Sequence, residues 1–279
     1  MYDGDIQLCS LLCRCRTGST ALTKAISAHP HAMAFHEILN GIHGHSYQNF
    51  VIDLITSDKA KKSEFMSVGP LFAFQDYLNK LVETARKEKP ELKICVIECK
   101  IENMNVFSSQ WSHPSNDFVK VEFLRLALNA SDNAMFLRRR NVLERRCSNR
   151  LAHHTGVFHS TMGKQAAVIE KRPIDKETIK IPMMLRTIRE ELEYDARLFE
   201  YISSVRPRPM LIEYEDAYDE SGFTPAFLER FAAFSGGITL GQPPLSKVRS
   251  LTPKEMIANY DPLVAAIRNS PMLSTTLLG

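Results

Sequence analysis

The chain has 279 residues, 44% of them apolar and 24% charged, with a formal net charge of +3, enough to bury a substantial core and close to the upper size of one domain. That charge is too small for a long nucleic-acid partner. No apolar run approaches the roughly 20 residues of a membrane span. Residues 1–12 lack the basic stretch and cleavage site of a secretory signal, so a cytoplasmic location is expected.

Read in chain order, an apolar strand over 6–13 leads into Cys13-Arg14-Cys15-Arg16-Thr17-Gly18-Ser19-Thr20. A helix with the stripe Leu22, Ala25 and Ile26 follows and stops at His29-Pro30, as the restriction on a residue before proline requires. Leu71, Phe74, Leu78, Leu81 and Ala85 mark a second helix, and Lys93–Cys99 the strand after it. A strand over 133–138 precedes a helix that Asn141 can cap, carrying Leu143, Cys147 and Leu151. Met184 to Ile202 is a long amphipathic helix, and Pro209–Tyr214 returns as a strand. Phe227, Leu228, Phe231 and Phe234 pattern a helix ending at Gly236-Gly237, and the tail is helical around Met256, Ile257 and Tyr260. Segments 41–70 and 155–176 read as long polar loops, a length that usually serves binding. This alternation is that of one α/β domain over 1–279, with a central parallel sheet flanked by helices. Six cysteines, at 9, 13, 15, 95, 99 and 147, fall mostly on apolar runs and read as reduced core residues rather than a disulfide framework.

The turn at 13–20 is an anion cradle. A helix N-terminus offers unpaired N–H groups and the positive end of the macrodipole, and Gly18 lets the backbone approach where a Cβ would obstruct. A nucleotide phosphate is the expected anion. A nucleotide-hydrolase P-loop would need Gly, four residues, then Gly-Lys-Ser/Thr. With Gly18 as the second glycine, Cys13 takes the place of the first and Ser19 that of the lysine; only Thr20 matches, which argues against ATP or GTP hydrolysis.

Arg16-Thr17-Gly18-Ser19-Thr20 resembles the phosphosulfate loop of sulfotransferases that use 3′-phosphoadenosine 5′-phosphosulfate (PAPS), in particular their carbohydrate and bacterial branch. Phe136-Leu137-Arg138-Arg139-Arg140-Asn141 through Ser148 resembles that family's 3′-phosphate motif, an apolar strand ending in arginine with a serine eight positions on. His36-Glu37-Ile38-Leu39-Asn40 is similar to the segment carrying the proposed base, and Ile212-Glu213-Tyr214-Glu215-Asp216 to a strand-end Tyr-Glu-Asp. The resemblance implies a P-loop-like sulfotransferase fold and transfer of a sulfuryl group from PAPS to a hydroxyl of a carbohydrate, glycolipid or other small acceptor, leaving adenosine 3′,5′-bisphosphate. It implies donor binding by Arg16, Thr17, Gly18, Ser19, Thr20, Arg140 and Ser148, with Arg16 and Glu37 catalytic and no metal required.

Each motif also has a plainer reading. The turn alone is a Gly-containing turn with polar caps, and an arginine run alone is a solvated cluster. Along a strand Arg138 and Arg140 share a face opposite Arg139, and the spacing to Ser148 selects Arg140. His36 competes with Glu37 as the base. Cys13-x-Cys15 with His29, His31 and His36 lacks the Cys-x₂₋₄-Cys pairing of structural zinc. His43, His45, Gln48, Asn49, His159 and Lys164 are expected at the surface or the acceptor, with Tyr47 or Phe158 stacking on a sugar face, and Lys247 and Arg249 near the nucleotide. A P-loop kinase-like phosphotransferase and a non-catalytic nucleotide-binding protein are the alternatives; the oligomeric state is open.

Overall fold

A computed structural model describes residues 6–57, 73–102, 116–155, 175–206, 208–243 and 252–274. Five parallel strands, β1 (Gln7–Cys13), β2 (Ala32–Phe35), β3 (Ile94–Lys100), β4 (Asn133–Arg138) and β5 (Met210–Glu213), form one sheet in the order β2-β3-β1-β4-β5. Helices α1 (Ser19–Ala28), α2 (Tyr47–Ser57), α3 (Phe74–Glu88), α4 (Asn116–Ala130), α5 (Val142–Thr155), α6 (Ile181–Val205), α7 (Tyr214–Ala217), α8 (Pro225–Phe234), α9 (Pro253–Met256) and α10 (Tyr260–Arg268) connect and cover it.

The sheet is covered on both faces, which is why its central strands read as continuous apolar runs rather than alternating ones. Leu8, Leu12, Cys95, Ile97, Ala134 and Phe136 face one core with α2, α3, α4 and the end of α6. Cys9, Leu11, Ile94, Val96, Met135 and Leu137 face another with α1 and α8. A third cluster packs α5 against the start of α6, α9 and α10.

Because every strand points the same way, all carboxyl ends lie on one edge. The register aligns Cys13 with Lys100 on one side and Leu137 on the other, Phe35 with Ile97, and Arg138 with Glu213. The chain leaves β1 for β2 on one flank and later reaches β4 on the other, so the β1 end is the topological switch point, where open α/β sheets bind ligands.

Several elements were not legible. β2 is four residues of Ala-Met-Ala-Phe without a β-branched side chain. Residues 41–70 are not one loop: 47–57 form α2, whose Ser46 accepts from Asn49 N at 3.3 Å as an N-cap. Tyr47 is fully buried among Phe74, Tyr77 and Phe123, so it cannot stack on an acceptor. Residues 58–70, and of the second segment 156–174 with Phe158, His159 and Lys164, lie outside the described residues, as do Leu71, Lys247 and Arg249.

Candidate functional site

The cradle is built by two left-handed residues in a three-residue span. Arg16 has φ 65° and Gly18 φ 88°, and α1 starts directly after Gly18 without a side-chain cap on its first amides. Those N–H groups are the donors that a helix start leaves for a ligand. Thr17 is fully buried and its Oγ1 donates to Arg14 O at 2.8 Å, so its hydroxyl closes the turn. A Cβ on Gly18 would meet the Tyr214 ring at 3.0 Å, Tyr218 Oη donates to Gly18 O at 2.8 Å, and the two tyrosines stack with centroids 4.8 Å apart. The strand-end Tyr-Glu-Asp thus supports the cradle from below.

Across the edge, Arg16 Nε donates to Ser148 Oγ at 3.2 Å. The two motifs chosen from sequence, 132 residues apart, meet here. The three arginines at the end of β4 divide as alternation requires. Arg138 donates to Glu213 at 2.9 Å, and Arg140 lies 2.7 Å from Glu213 and 2.6 Å from Asp216. Glu215 accepts from the N–H groups of Arg140 and Asn141. Arg140 is therefore turned to carboxylates rather than to Ser148. Arg139, only 8% exposed, lies over the Tyr214 ring at 4.5 Å and pairs with Glu144; its Nε is buried with no hydrogen-bond partner among the described residues. Burial and the charge of Arg139 both push the Arg16 guanidinium below its usual value.

On the other flank of β1, four ionisable groups meet with little solvent. Glu37, 8% exposed, adopts φ 47°, a strained conformation for a non-glycine residue that marks functional sites. Its N–H donates to Glu98 Oε2 at 3.1 Å, Asn40 Nδ2 donates to its Oε2 at 2.6 Å, and Lys100 Nζ is paired with its Oε1. His36 places Nδ1 on Glu98, Nε2 3.2 Å from Glu37 Oε1, and the same Nε2 3.5 Å from Thr20 Oγ1 at the cradle. Burial pushes Glu37 up, yet the His36 hydrogen bond and the Lys100 charge outweigh it and hold the carboxyl well below its usual range. Burial pulls His36 down, but bonding to Glu37 and Glu98 raises it to about 9, so the ring is an imidazolium at neutral pH. Burial and the Glu102 carboxylate push the Cys15 thiol up to about 11, which leaves little thiolate for nucleophilic work.

His43 and His45 belong to this site rather than to a free surface. Their rings stack at 5.5 Å, His45 Nε2 donates to His36 O at 2.8 Å, and His43 Nε2 lies 3.9 Å from Glu37 Oε2. Asn49 holds the loop through Gly41 O and His43 O. Ligand atoms of His36, Glu37 and His43 lie within 4.8 Å of one another, close enough to hold a metal ion. Lys100 Nζ is already paired with Glu37 Oε1, so an ion bound at that oxygen would have to displace it.

Sequence reasoning missed the brace behind the cradle. Arg14 Nε donates to buried Asp195 at 2.7 Å, Arg145 pairs with Glu191, and Cys15 N donates to Glu102 at 3.1 Å, fastening the turn to α6 and to the residues after β3. It also passed over Glu98 and Lys100, whose signal was present: two charged residues ending a strand whose seven residues are all buried, an uncommon place for unpaired charge. Beside the brace, Arg14, Glu102, Arg146, Thr187, Glu190 and Tyr194 line a cleft of about 300 Å³. Among the described residues no helix is long and apolar enough to cross a membrane. The chain matches no protein-family model, and no curated protein is significantly similar to it.

Proposed function

We propose that the protein is a sulfotransferase that moves a sulfuryl group from PAPS to a hydroxyl of a carbohydrate or glycolipid. The observation that carries this reading is the 3.2 Å contact of Arg16 with Ser148: a donor with a 5′-phosphosulfate and a 3′-phosphate needs two anion sites facing each other on one sheet edge, and these residues belong to both. The cradle amides take the phosphosulfate. Ser148 and Arg139 take the 3′-phosphate, with Arg139 in place of Arg140 because Arg139 lies over the Tyr214 ring that packs on Gly18, whereas Arg140 is paired with Glu213 and Asp216. The absence of a lysine in the cradle disfavours a kinase-like phosphotransferase.

In the reaction the acceptor oxygen forms a bond to sulfur, the bond from sulfur to the bridging phosphate oxygen breaks, and the electron pair leaves with the 5′-phosphate. Arg16 and the cradle amides stabilise that charge. The acceptor proton becomes strongly acidic as the new bond forms, so even a carboxylate held low accepts it, and Glu37 is the group in its unprotonated form. His36, already protonated, is not. The cleft beside Arg14 carries the charged side chains of Glu102, Arg146, Glu190 and Glu191 with a single aromatic, Tyr194, which suits a polyhydroxylated acceptor better than a phenol. Incubation with labelled PAPS and a panel of sugars, glycolipids and phenols tests the whole reading; label on none of them, with no binding of adenosine 3′,5′-bisphosphate, rejects it in favour of another nucleotide or no nucleotide.

A further inference from the structure

The three arginines around the cleft between the cradle turn and α6 are already committed to carboxylates of the protein. Arg14 places Nε 2.7 Å from Asp195, with the two side chains only 14% and 5% exposed, and covers the Tyr194 ring. Glu191 takes both Arg145 and Arg146, one on each oxygen. Glu102 is engaged differently. Its Oε2 accepts from Cys15 N at 3.1 Å, in the cradle turn itself, while its Oε1 stands 4.0 Å from Arg14 and 3.9 Å from Arg145, too far for a hydrogen bond. Its side chain is 37% exposed and lines the cleft. The three arginines and the carboxylates Asp195, Glu191 and Glu102 balance in charge, and the accessible one beside the cradle is negative.

We propose that this cleft selects an uncharged, polyhydroxylated acceptor and that Glu102 is the residue that turns an anionic one away. The proposal rests on the sulfotransferase reading, with the acceptor bound in this cleft. A uronate or sulfate group that entered would have to draw an arginine from its carboxylate. Taking Arg14 strands Asp195, a buried charge, at a cost that pairing with the ligand does not recover. Arg146 is the more accessible of the two arginines that line the cleft, but an anion there faces both Glu191 and Glu102, an arrangement of like charges that rejects the wrong ligand. An amino sugar finds Glu102 and meets Arg14 and Arg146 in turn. Sugar hydroxyls escape both penalties, because each donates to a carboxylate or accepts from a guanidinium as its position requires.

Transfer from labelled PAPS to a panel of oligosaccharides, each offered in a neutral, a uronate-bearing and an amino-bearing form, tests this. The neutral form is expected to exceed the uronate form in kcat/KM by about tenfold, the effect of one charge at short range, with the difference carried in KM. In Glu102→Gln, whose amide oxygen still accepts from Cys15 N, that gap should narrow several-fold. It should also narrow in the unmodified protein as salt is raised, because the cleft is open to solvent, a check that stands even if Glu102→Gln does not fold. A uronate-bearing acceptor used as well as its neutral form overturns the proposal, and so does a gap that neither salt nor Glu102→Gln changes. Adenosine 3′,5′-bisphosphate bound with no sugar labelled in any form overturns it too, and leaves the donor site standing. A protein that binds no adenosine 3′,5′-bisphosphate removes the sulfotransferase reading itself, and the proposal with it.

Discussion

Arg16 Nε and Ser148 Oγ, 3.2 Å apart, join the turn after β1 to the second turn of α5. A ligand that spans cradle and α5 must engage both. Adenosine 3′,5′-bisphosphate is therefore expected to bind without magnesium and to raise stability by about 2.7 kcal/mol at 100 times its dissociation constant, measured as a shift in urea-induced unfolding. AMP, lacking the 3′-phosphate, should bind at least tenfold more weakly. Equal stabilisation by both nucleotides would remove Ser148 from the site.

Arg139 and Arg140 make opposite predictions. Arg140 is held by Glu213 and Asp216, whereas Arg139 lies over the Tyr214 ring that packs on Gly18. Arg139→Gln should erase the preference for the bisphosphate over AMP, a loss of about 1.5–3 kcal/mol for a charge-assisted bond. Arg140→Gln should keep the preference and lose stability instead. Isothermal titration of both variants with both nucleotides decides it, and the reverse pattern restores the assignment to Arg140 that its spacing to Ser148 favours.

In the proposed reaction Glu37 addresses the acceptor and not the donor. Glu37→Gln is expected to lower turnover by about 10²–10⁴ with bisphosphate affinity changed less than twofold. Its amide still accepts from Lys100, so the fold tolerates it better than an alanine. Turnover retained in Glu37→Gln and lost in His36→Asn would make His36 the base.

How much of this was legible depended on whether a function left a local signature. The cradle did, because Gly18 and the hydroxyls must adjoin in sequence to share a helix start. β4 did, because its apolar run ends abruptly in arginine, and its limits are those observed, Asn133–Arg138. Glu98 and Lys100 did not, since their meaning comes from the parallel register that lays Lys100 beside Cys13. The choice between Arg139 and Arg140 was hidden for the same reason: spacing to Ser148 selects one, whereas the carboxylates that occupy it come from β5 and α7, some 75 residues later. Tyr47 misled because a polar neighbourhood, Gln48 and Asn49, conceals the buried face of a helix.

Gly18 carries the conformational demand of the cradle. At φ 88°, with Tyr214 3.0 Å from where a Cβ would stand, Gly18→Ala meets both a backbone penalty of roughly 1–2 kcal/mol and a ring that cannot yield without breaking its stack on Tyr218. The variant should unfold at lower urea and lose most of its bisphosphate affinity. Unchanged affinity in a destabilised protein would mean that the amides around Gly18 do not face the ligand.

The acceptor is expected in the cleft between the turn and α6. Arg14 covers one face of the Tyr194 ring at 4.8 Å, and the ring is 37% exposed, which leaves apolar area for a sugar face while Thr187, Glu190 and Glu102 offer partners for its hydroxyls. A phenol needs one hydroxyl and a closed apolar slot, and this cleft has neither the enclosure nor the composition. Tyr194→Ala should raise KM for a carbohydrate acceptor about tenfold, and Thr187→Val by a smaller factor, since each removes binding made equally in ground and transition states. Neither should alter kcat or the affinity for adenosine 3′,5′-bisphosphate. Efficient sulfation of small phenols, unaffected by Tyr194→Ala, would move the acceptor away from this cleft and away from carbohydrate, leaving the donor site as it stands.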